Sequence, residues 1–511
     1  MADRTGWNRI ARTFACALML AVAASVAHAA EPPADPWAPL QRGLRPNVLR
    51  ADAPLPHWSL EARMRHHQVP GVGIALVRDG RVVAARGYGV RIAGGSEPVN
   101  ADTVFSVGSV SKVVAAATTL RLVDAGRVSL DRDVAGDLTR WRLPDAPGGE
   151  GAVTPRMLMS HTSGLGVHGF ADYPPGEAVP TLAQVLQGEP PAKNAPVNFR
   201  FAPGERSDYS GGAVSVGQML LEDLAGEPFA RIAQAQVFDP LRMTRSTYAS
   251  PLPPDHGNIA HAHDERGAPA ALPRGYETFA EAAASGLWTS ANDLGAFVAA
   301  IIRSYQGRDG FLRRDTAVRM LTPVARSWFG LGPRLDGEGP SRTFHHGGAN
   351  DSYRAWIEGY PESGDGFVIL TNGANGDALA REIRNALTDA LGHGDNALLR
   401  SLAHPPPPAP DLAGRYRLDA QVPMEIRGAV ADLLEDDTFE VQVNDDQLTW
   451  RLPEAASASA LHPLAPNRYA SASGSLRLLF HRGPDGRVQA VSVLHPASDA
   501  RALYRRVPEV E

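Results

Sequence analysis

Lysine is almost missing from this chain. Of 50 basic residues, 48 are arginine, and the two lysines are Lys112 and Lys193. Cysteine is scarcer still, with Cys16 alone. One thiol can close no internal disulfide and build no cysteine-ligated metal site. There is no excess of positive charge: 50 basic residues against 56 acidic ones leave a formal net charge of −6, which argues against nucleic acid as a partner. No apolar run reaches the roughly 20 residues that a membrane-spanning helix needs. The sequence also contains neither H-E-x-x-H nor G-x-S-x-G, the signatures of zinc peptidases and of nucleophile-elbow hydrolases.

The one greasy stretch, FACALMLAVAASVA, follows Arg4, Arg9 and Arg12 and ends in Ala27-His28-Ala29. A basic start, a short apolar centre and a small-x-small exit predict a secretory signal peptide over 1–29, cleaved near Ala29. Cys16 lies inside it, so the mature chain has no thiol. Removing three Arg and one Asp with the leader moves the formal charge from −6 to −8. The expectation is an exported protein, periplasmic or secreted, with no membrane anchor in the mature chain.

The remaining chain is long enough for more than one domain. Four consecutive prolines, Pro405–Pro408, cannot sit inside a helix or a central strand, so 403–410 reads as a stiff linker. It separates a body, 30–402, from a tail, 411–511. The body opens on a hairpin pattern at 71–89, runs through mainly helical patterns to about 305, and returns to strand patterns at RTFHHGG, YRAWIEGYP and GDGFVILTNG before a closing helix. Strands at both ends of a helical middle predict an α+β fold, an antiparallel sheet flanked by helices with an inserted mainly helical region. The tail alternates apolar and polar residues between turn-rich segments. It predicts a small all-β barrel or sandwich, with GRYRL at 414–418 and ALYRRV at 502–507 as first and last strands.

Lys112 sits in GSVSKVVAAATTLRLVDAG, three residues after Ser109. In a helix, positions i and i+3 share a face, so the hydroxyl and the amine should be neighbours. Ser109 as an N-cap and Lys112 as a solvated charge is the ordinary reading of Ser-x-x-Lys. Against it stand the residues that follow, Val-Val-Ala-Ala-Ala, which predict a helix buried on most faces. The arginine bias points the same way. Arg stays protonated, whereas a buried Lys can give up its proton and then take one from a serine hydroxyl.

Two further motifs follow in order. FAPGERSDYSGG places Tyr209 between a Pro-Gly turn and a helix, and FHHGGAN places His346 at a strand end before Gly347 and Gly348. Ser109-x-x-Lys112, Tyr209-Ser-Gly211 and His346-Gly-Gly348 together resemble the serine β-lactamase and penicillin-binding superfamily. The branch matched is that of class C β-lactamases, DD-peptidases and family VIII esterases. The phrases LMSHTSGL (158–165), DPLRMTRSTY (239–248) and SGLWTSANDL (285–294) fit the same branch, and the tail resembles the lipocalin-like domain of some members.

The resemblance implies that Ser109 is the nucleophile of an acyl-enzyme and that Lys112 and Tyr209 share the proton transfers. It further implies that the backbone N–H groups of Ser109 and Ala349 form an oxyanion hole. Such donors are worth about 3–4 kcal/mol each in the transition state. His346, Gly347, Gly348 and Gly211 would edge the substrate site, the glycines letting substrate approach the backbone. Two departures matter. Gly211 stands where the family carries an Asn that binds the acylamido arm of β-lactams, and His346 stands where a Lys is more frequent. Both favour a small-molecule ester, amide or D-peptide substrate over efficient β-lactam hydrolysis. A class C-like β-lactamase and a non-catalytic receptor for peptidoglycan-like ligands remain as alternatives. No cofactor and no metal are expected. HAHDE, 261–265, reads as an exposed turn, not as a zinc motif. Oligomeric state is not legible.

Overall fold

The computed structural model describes residues 35–508 apart from 150, 273–274, 309, 326, 394–397, 425, 428–433, 435–436, 445, 454, 456 and 496–499. The predicted leader and Cys16 lie outside the described residues. From Pro39 onward the chain forms one compact unit.

At the centre of that unit is a six-stranded antiparallel sheet. Its order is Arg81–Gly89, Gly71–Arg78, Asp365–Thr371, Tyr353–Tyr360, Thr343–Asn350 and Arg334–Asp336. The first hairpin therefore pairs with a strand almost 300 residues away, Val72 facing Thr371 and Val77 facing Gly366. This is the sheet made from both ends of the body that the strand patterns predict. Successive residues of a strand point to opposite faces, and Tyr353–Tyr360 uses both. Ala355 and Ile357 join the main core. On the other face Trp356 and Glu358 meet Arg384 of the Gly376–Leu391 helix.

The helix Ala291–Tyr305 packs on the sheet because Leu294, Phe297, Val298, Ile301 and Ile302 recur at the helical period and are all buried. Its first turn is secured by Ser290, whose side chain accepts from the Asp293 N–H. The helix Val110–Asp124 runs through the core with 12 of its 15 residues buried, as its alanines and valines predict. Between these two helices lies the rest of the inserted region. Apart from Gly211–Ala225 it holds only short helices such as Pro155–Met159 and Leu182–Gln187, gathered around Val134, Leu158, Leu186, Val216 and Met219.

The tail is a closed eight-stranded barrel. Its first strand, Gly414–Leu418, pairs with its last, Arg501–Arg506, Tyr416 facing Arg506 and Leu418 facing Tyr504. Closure removes the exposed edges that a sandwich would keep. Tyr416, Phe439, Phe480 and Tyr504 fill the interior. Two strands in it, Ser459–Ala465 and Arg468–Ser471, come from an Ala/Ser/Pro-rich stretch with no strand pattern. Their pairing shifts register between Pro463 and Ala465, as a residue without an N–H requires. Just before the prolines, Leu399–Ser401 pairs in parallel with Val48–Arg50, and the Leu402 N–H donates to the Pro463 carbonyl of the barrel (2.8 Å). Among the described residues no helix is long and apolar enough to cross a membrane.

Candidate active site

Ser109 lies at the N-terminal end of the buried helix with φ −63° and ψ −11°, and its side chain makes no capping bond. Its Oγ instead accepts from Lys112 Nζ at 3.0 Å. Lys112 is 3% exposed and donates a second bond to the Ala284 carbonyl (2.8 Å). The reading of an N-cap beside a solvated charge is thereby excluded. Ser109 itself is partly exposed within a run of buried neighbours, so the hydroxyl can be reached from outside.

The strand Thr343–Asn350 is pressed onto this helix start by two glycines. Gly108 has φ +48°, and a Cβ on it would stand 2.6 Å from the Ala349 nitrogen. A Cβ on Gly348 would overlap the Val107 carbonyl. The backbone of Ala349 is thus brought beside Gly108 and Ser109. Asn350 then ties the strand down, donating to Ser106 Oγ (2.8 Å) and to the Ser285 carbonyl (3.1 Å). The sequence reading assigns Gly347 and Gly348 to close approach of substrate; the structure adds a demand on these positions from the protein itself. A side chain at 348 is barred by the protein's own backbone at Val107, and a Cβ on Gly347 would come within 3.3 Å of the Trp356 ring. His346 also lies inside the strand, not at its end.

Tyr209 stands just before the helix Gly211–Ala225, its ring centroid 5.1 Å from Lys112 Nζ and 6.1 Å from the His346 ring. Gly211 is walled in, since a Cβ there would meet the His168 carbonyl and the Phe170 ring at 3.0 Å. A side chain at this position would have to displace one of these neighbours. His346 is buried, and its pKa is held well below the usual histidine range by burial and by the charges of Arg334 and Lys112. Neutral, with Nδ1 donating to the Gly347 carbonyl (2.6 Å), it presents Nε2 as an acceptor. It supplies no positive charge.

Three groups at the site were not read from the sequence. His161, in the HTSGL phrase, takes a left-handed backbone (φ +59°) that costs a non-glycine residue energy. Its Nδ1 accepts from the Ser210 N–H (3.2 Å) and its carbonyl from the Asp208 N–H (2.8 Å), so it brackets Tyr209 from both sides. Its ring lies 4.5 Å from that of Tyr209. Burial, then the charges of Lys112 and Arg334, hold its pKa well below the usual histidine range. Phe329 packs edge-on against His161 at 4.5 Å. The Arg334 guanidinium lies 5.7 Å from the Tyr209 ring and 5.0 Å from that of Phe329. Only the left-handed conformation at His161 had a local signal, a His-Thr-Ser-Gly turn; Phe329 and Arg334 arrive from a distant hairpin.

Two buried acids adjoin the site. Glu281 lies just before the short helix that offers Ala284 to Lys112. Burial raises its pKa, and hydrogen bonding and the charge of Lys112 only partly offset this, leaving it at about 7. Glu277 is pushed up to about 8, chiefly by burial. HAHDE is not an exposed turn as a whole. His261 and His263 are buried, and both nitrogens of His263 bond backbone groups of Ala93 and Asn372. Only the following residues turn outward. Among the described residues no group of three or more His, Cys, Asp or Glu could hold a metal ion.

The family model described as Beta-lactamase matches residues 59–391. Esterase EstB of Burkholderia gladioli is 30% identical over 37% of this chain and 50% of its own length. Penicillin-binding protein 4 of Amycolatopsis lactamdurans is 30% identical over 37% of this chain and 48% of its own. The chain thus spans about half the length of these two relatives. The D-alanyl-D-alanine-carboxypeptidase/endopeptidase AmpH of Escherichia coli K12 is 26% identical over 60% of this chain and 74% of its own. Among solved structures, the octameric penicillin-binding protein homologue from Pyrococcus abyssi superposes with a TM-score of 0.57. It covers 87% of this chain and 99% of its own, at 21% identity, a likeness of fold.

Proposed function

The chain belongs to the beta-lactamase family, and on that footing we propose that it is an exported serine hydrolase. It works through an acyl-enzyme on an ester or on a D-amino-acid peptide. The observation that carries the reading is the buried Lys112 amine hydrogen-bonded to Ser109 Oγ. Ser109 Oγ attacks the substrate carbonyl while its proton passes to the Lys112 amine in its neutral form. The oxyanion that forms lies between the N–H groups of Ser109 and Ala349. The tetrahedral adduct collapses, breaking the bond to the alcohol or amine, which leaves with a proton delivered through Tyr209. Water then attacks the acyl-enzyme along the same proton path and frees the acid and Ser109.

Esters are favoured over β-lactams because the space for an amide side chain at position 211 is filled by His168 and Phe170. A substrate carboxylate, where present, would meet Arg334, since His346 is neutral. Export rests on the leader pattern at 1–29 and predicts a mature N-terminus at Ala30. The decisive experiment is a fluorophosphonate probe with mass analysis, alongside p-nitrophenyl esters, D-Ala peptides and nitrocefin. The expected result is one adduct on Ser109, ester turnover exceeding nitrocefin turnover, and loss of both adduct and activity in Ser109→Ala. Activity that survives Ser109→Ala, or that a chelator abolishes, would sink the mechanism. A protein that is acylated by nothing in the panel would be the receptor instead.

A further inference from the structure

The turn between Val324 and Asp336 has two sides. It is closed by the Val324 N–H donating to the Phe329 carbonyl and the Leu335 N–H donating to the Trp328 carbonyl, both at 3.0 Å. Phe329 points to the site, packed on His161 and 5.9 Å from the Tyr209 ring. Its neighbour Trp328 points away and stacks on His495 of the barrel, ring centroids 4.6 Å apart and planes within 19°. The same turn leads into Arg334, beside Tyr209, and into Asp336, which bonds His345 (2.9 Å).

The other segment that carries the site lies within the barrel's electrostatic range. Arg206, three residues before Tyr209, is attracted by Asp437 at the start of the Thr438–Asn444 barrel strand. Its guanidinium sits 3.4 Å over the Phe201 ring. Of the two chain segments that flank the Tyr209 ring, the 324–336 turn is thus contacted by the barrel through Trp328 and His495, and the other lies in the field of a barrel carboxylate.

We propose that the barrel is a positioning element of the active site. His495 stacks on Trp328 and holds the 324–336 turn, so that Phe329 and Arg334 stay against Tyr209 and set the width of the cleft there. His495 touches no reacting atom; it acts through Trp328 and Phe329. Stacking needs a flat ring, not a charge, and burial keeps His495 neutral. The inference rests on the proposed role of Tyr209 beside Ser109 and deepens it, by giving the C-terminal domain a part in substrate selection.

The test uses the full chain carrying His495→Ala, His495→Phe or Trp328→Ala, with p-nitrophenyl acetate and p-nitrophenyl octanoate as substrates. Loss of the stack is expected to lower kcat/KM for the octanoate about ten-fold. The loss should fall mainly in KM, with a smaller effect on the acetate. His495→Phe, which keeps a ring, should stay near wild type. Trp328→Ala breaks the same stack without touching the barrel and should reproduce His495→Ala. If either alanine variant matches wild type on both esters, or if His495→Phe is as impaired as His495→Ala, the bracing role is wrong. Fluorophosphonate titration of wild type separates the two readings. A wild type that does not label at Ser109 overturns the nucleophile, whereas normal labelling with no effect at His495 overturns only the brace.

Discussion

Lys112 is held by two hydrogen bonds, one from its amine to the Ser109 hydroxyl and one to the Ala284 carbonyl. Arginine could fill the volume and make similar bonds, but it would not accept a proton. Lys112→Arg should therefore fold with near-normal stability and lose about 10²–10⁴-fold in kcat, read as steady-state ester hydrolysis beside a thermal melt. His161 offers a subtler case. Asn tolerates a left-handed backbone and can present Oδ1 where Nδ1 accepts from Ser210. His161→Asn should retain most activity, while His161→Ala, which frees the Tyr209 segment, should lose up to about 10²-fold in kcat. Equal losses in the two variants would remove Nδ1 as the relevant atom. Both side chains lay in phrases already visible in the sequence. What the sequence did not contain was the neighbour each one meets.

The contact between the Thr343–Asn350 strand and the start of the Val110–Asp124 helix depends on glycine at two positions, Gly108 and Gly348. A methyl at 348 would drive the strand off the Val107 carbonyl. Gly348→Ala should cost about 1–3 kcal/mol in denaturant unfolding and remove ester hydrolysis, because Ala349 N–H leaves its place beside Ser109. Wild-type turnover in that variant would show that Ala349 is not an oxyanion donor. Gly211→Asn looks from sequence like a route to β-lactam recognition. Because a Cβ there would stand only 3.0 Å from the His168 carbonyl and the Phe170 ring, it should instead destabilise the 168–211 contact without raising nitrocefin hydrolysis. Glycine is legible in a sequence, but the atom that forces it is not. At 348 that atom is the Val107 carbonyl oxygen.

Across the whole molecule, Glu277 and Glu281 are buried acids whose native pKa values, about 8 and about 7, stand above the ordinary 4.5. The native state therefore binds their protons more tightly than the unfolded chain does. Their favourable contribution is complete below about pH 4.5 and is lost as pH rises through 7 to 8, at up to about 1.4 kcal/mol per pH unit for each group. Thermal midpoints should fall between pH 5 and 8, and Glu277→Gln with Glu281→Gln should flatten that slope. An unchanged slope would mean that neither carboxyl titrates in this window. Asp336, held at about 2 by His345 despite its burial, acts in the opposite sense and only in acid, below about pH 4.

The elements that a local pattern encodes were all readable in the chain. The period of Ala291–Tyr305, the alternation in the tail, the apolar run after Lys112 and the Ser-x-x-Lys spacing each depend on residues within a few positions of one another. They led to the α+β body, the β tail and the paired Ser109 and Lys112. What the tertiary structure added is everything that joins distant segments. It closes the barrel through two strands with no strand pattern, brings Arg334 and Phe329 to Tyr209, fills the space at Gly211, and lays His495 on Trp328. The physical reason is the same in each case. Periodicity and capping are short-range properties of the backbone, whereas a cleft is made by side chains whose separation in sequence carries no information about their separation in space.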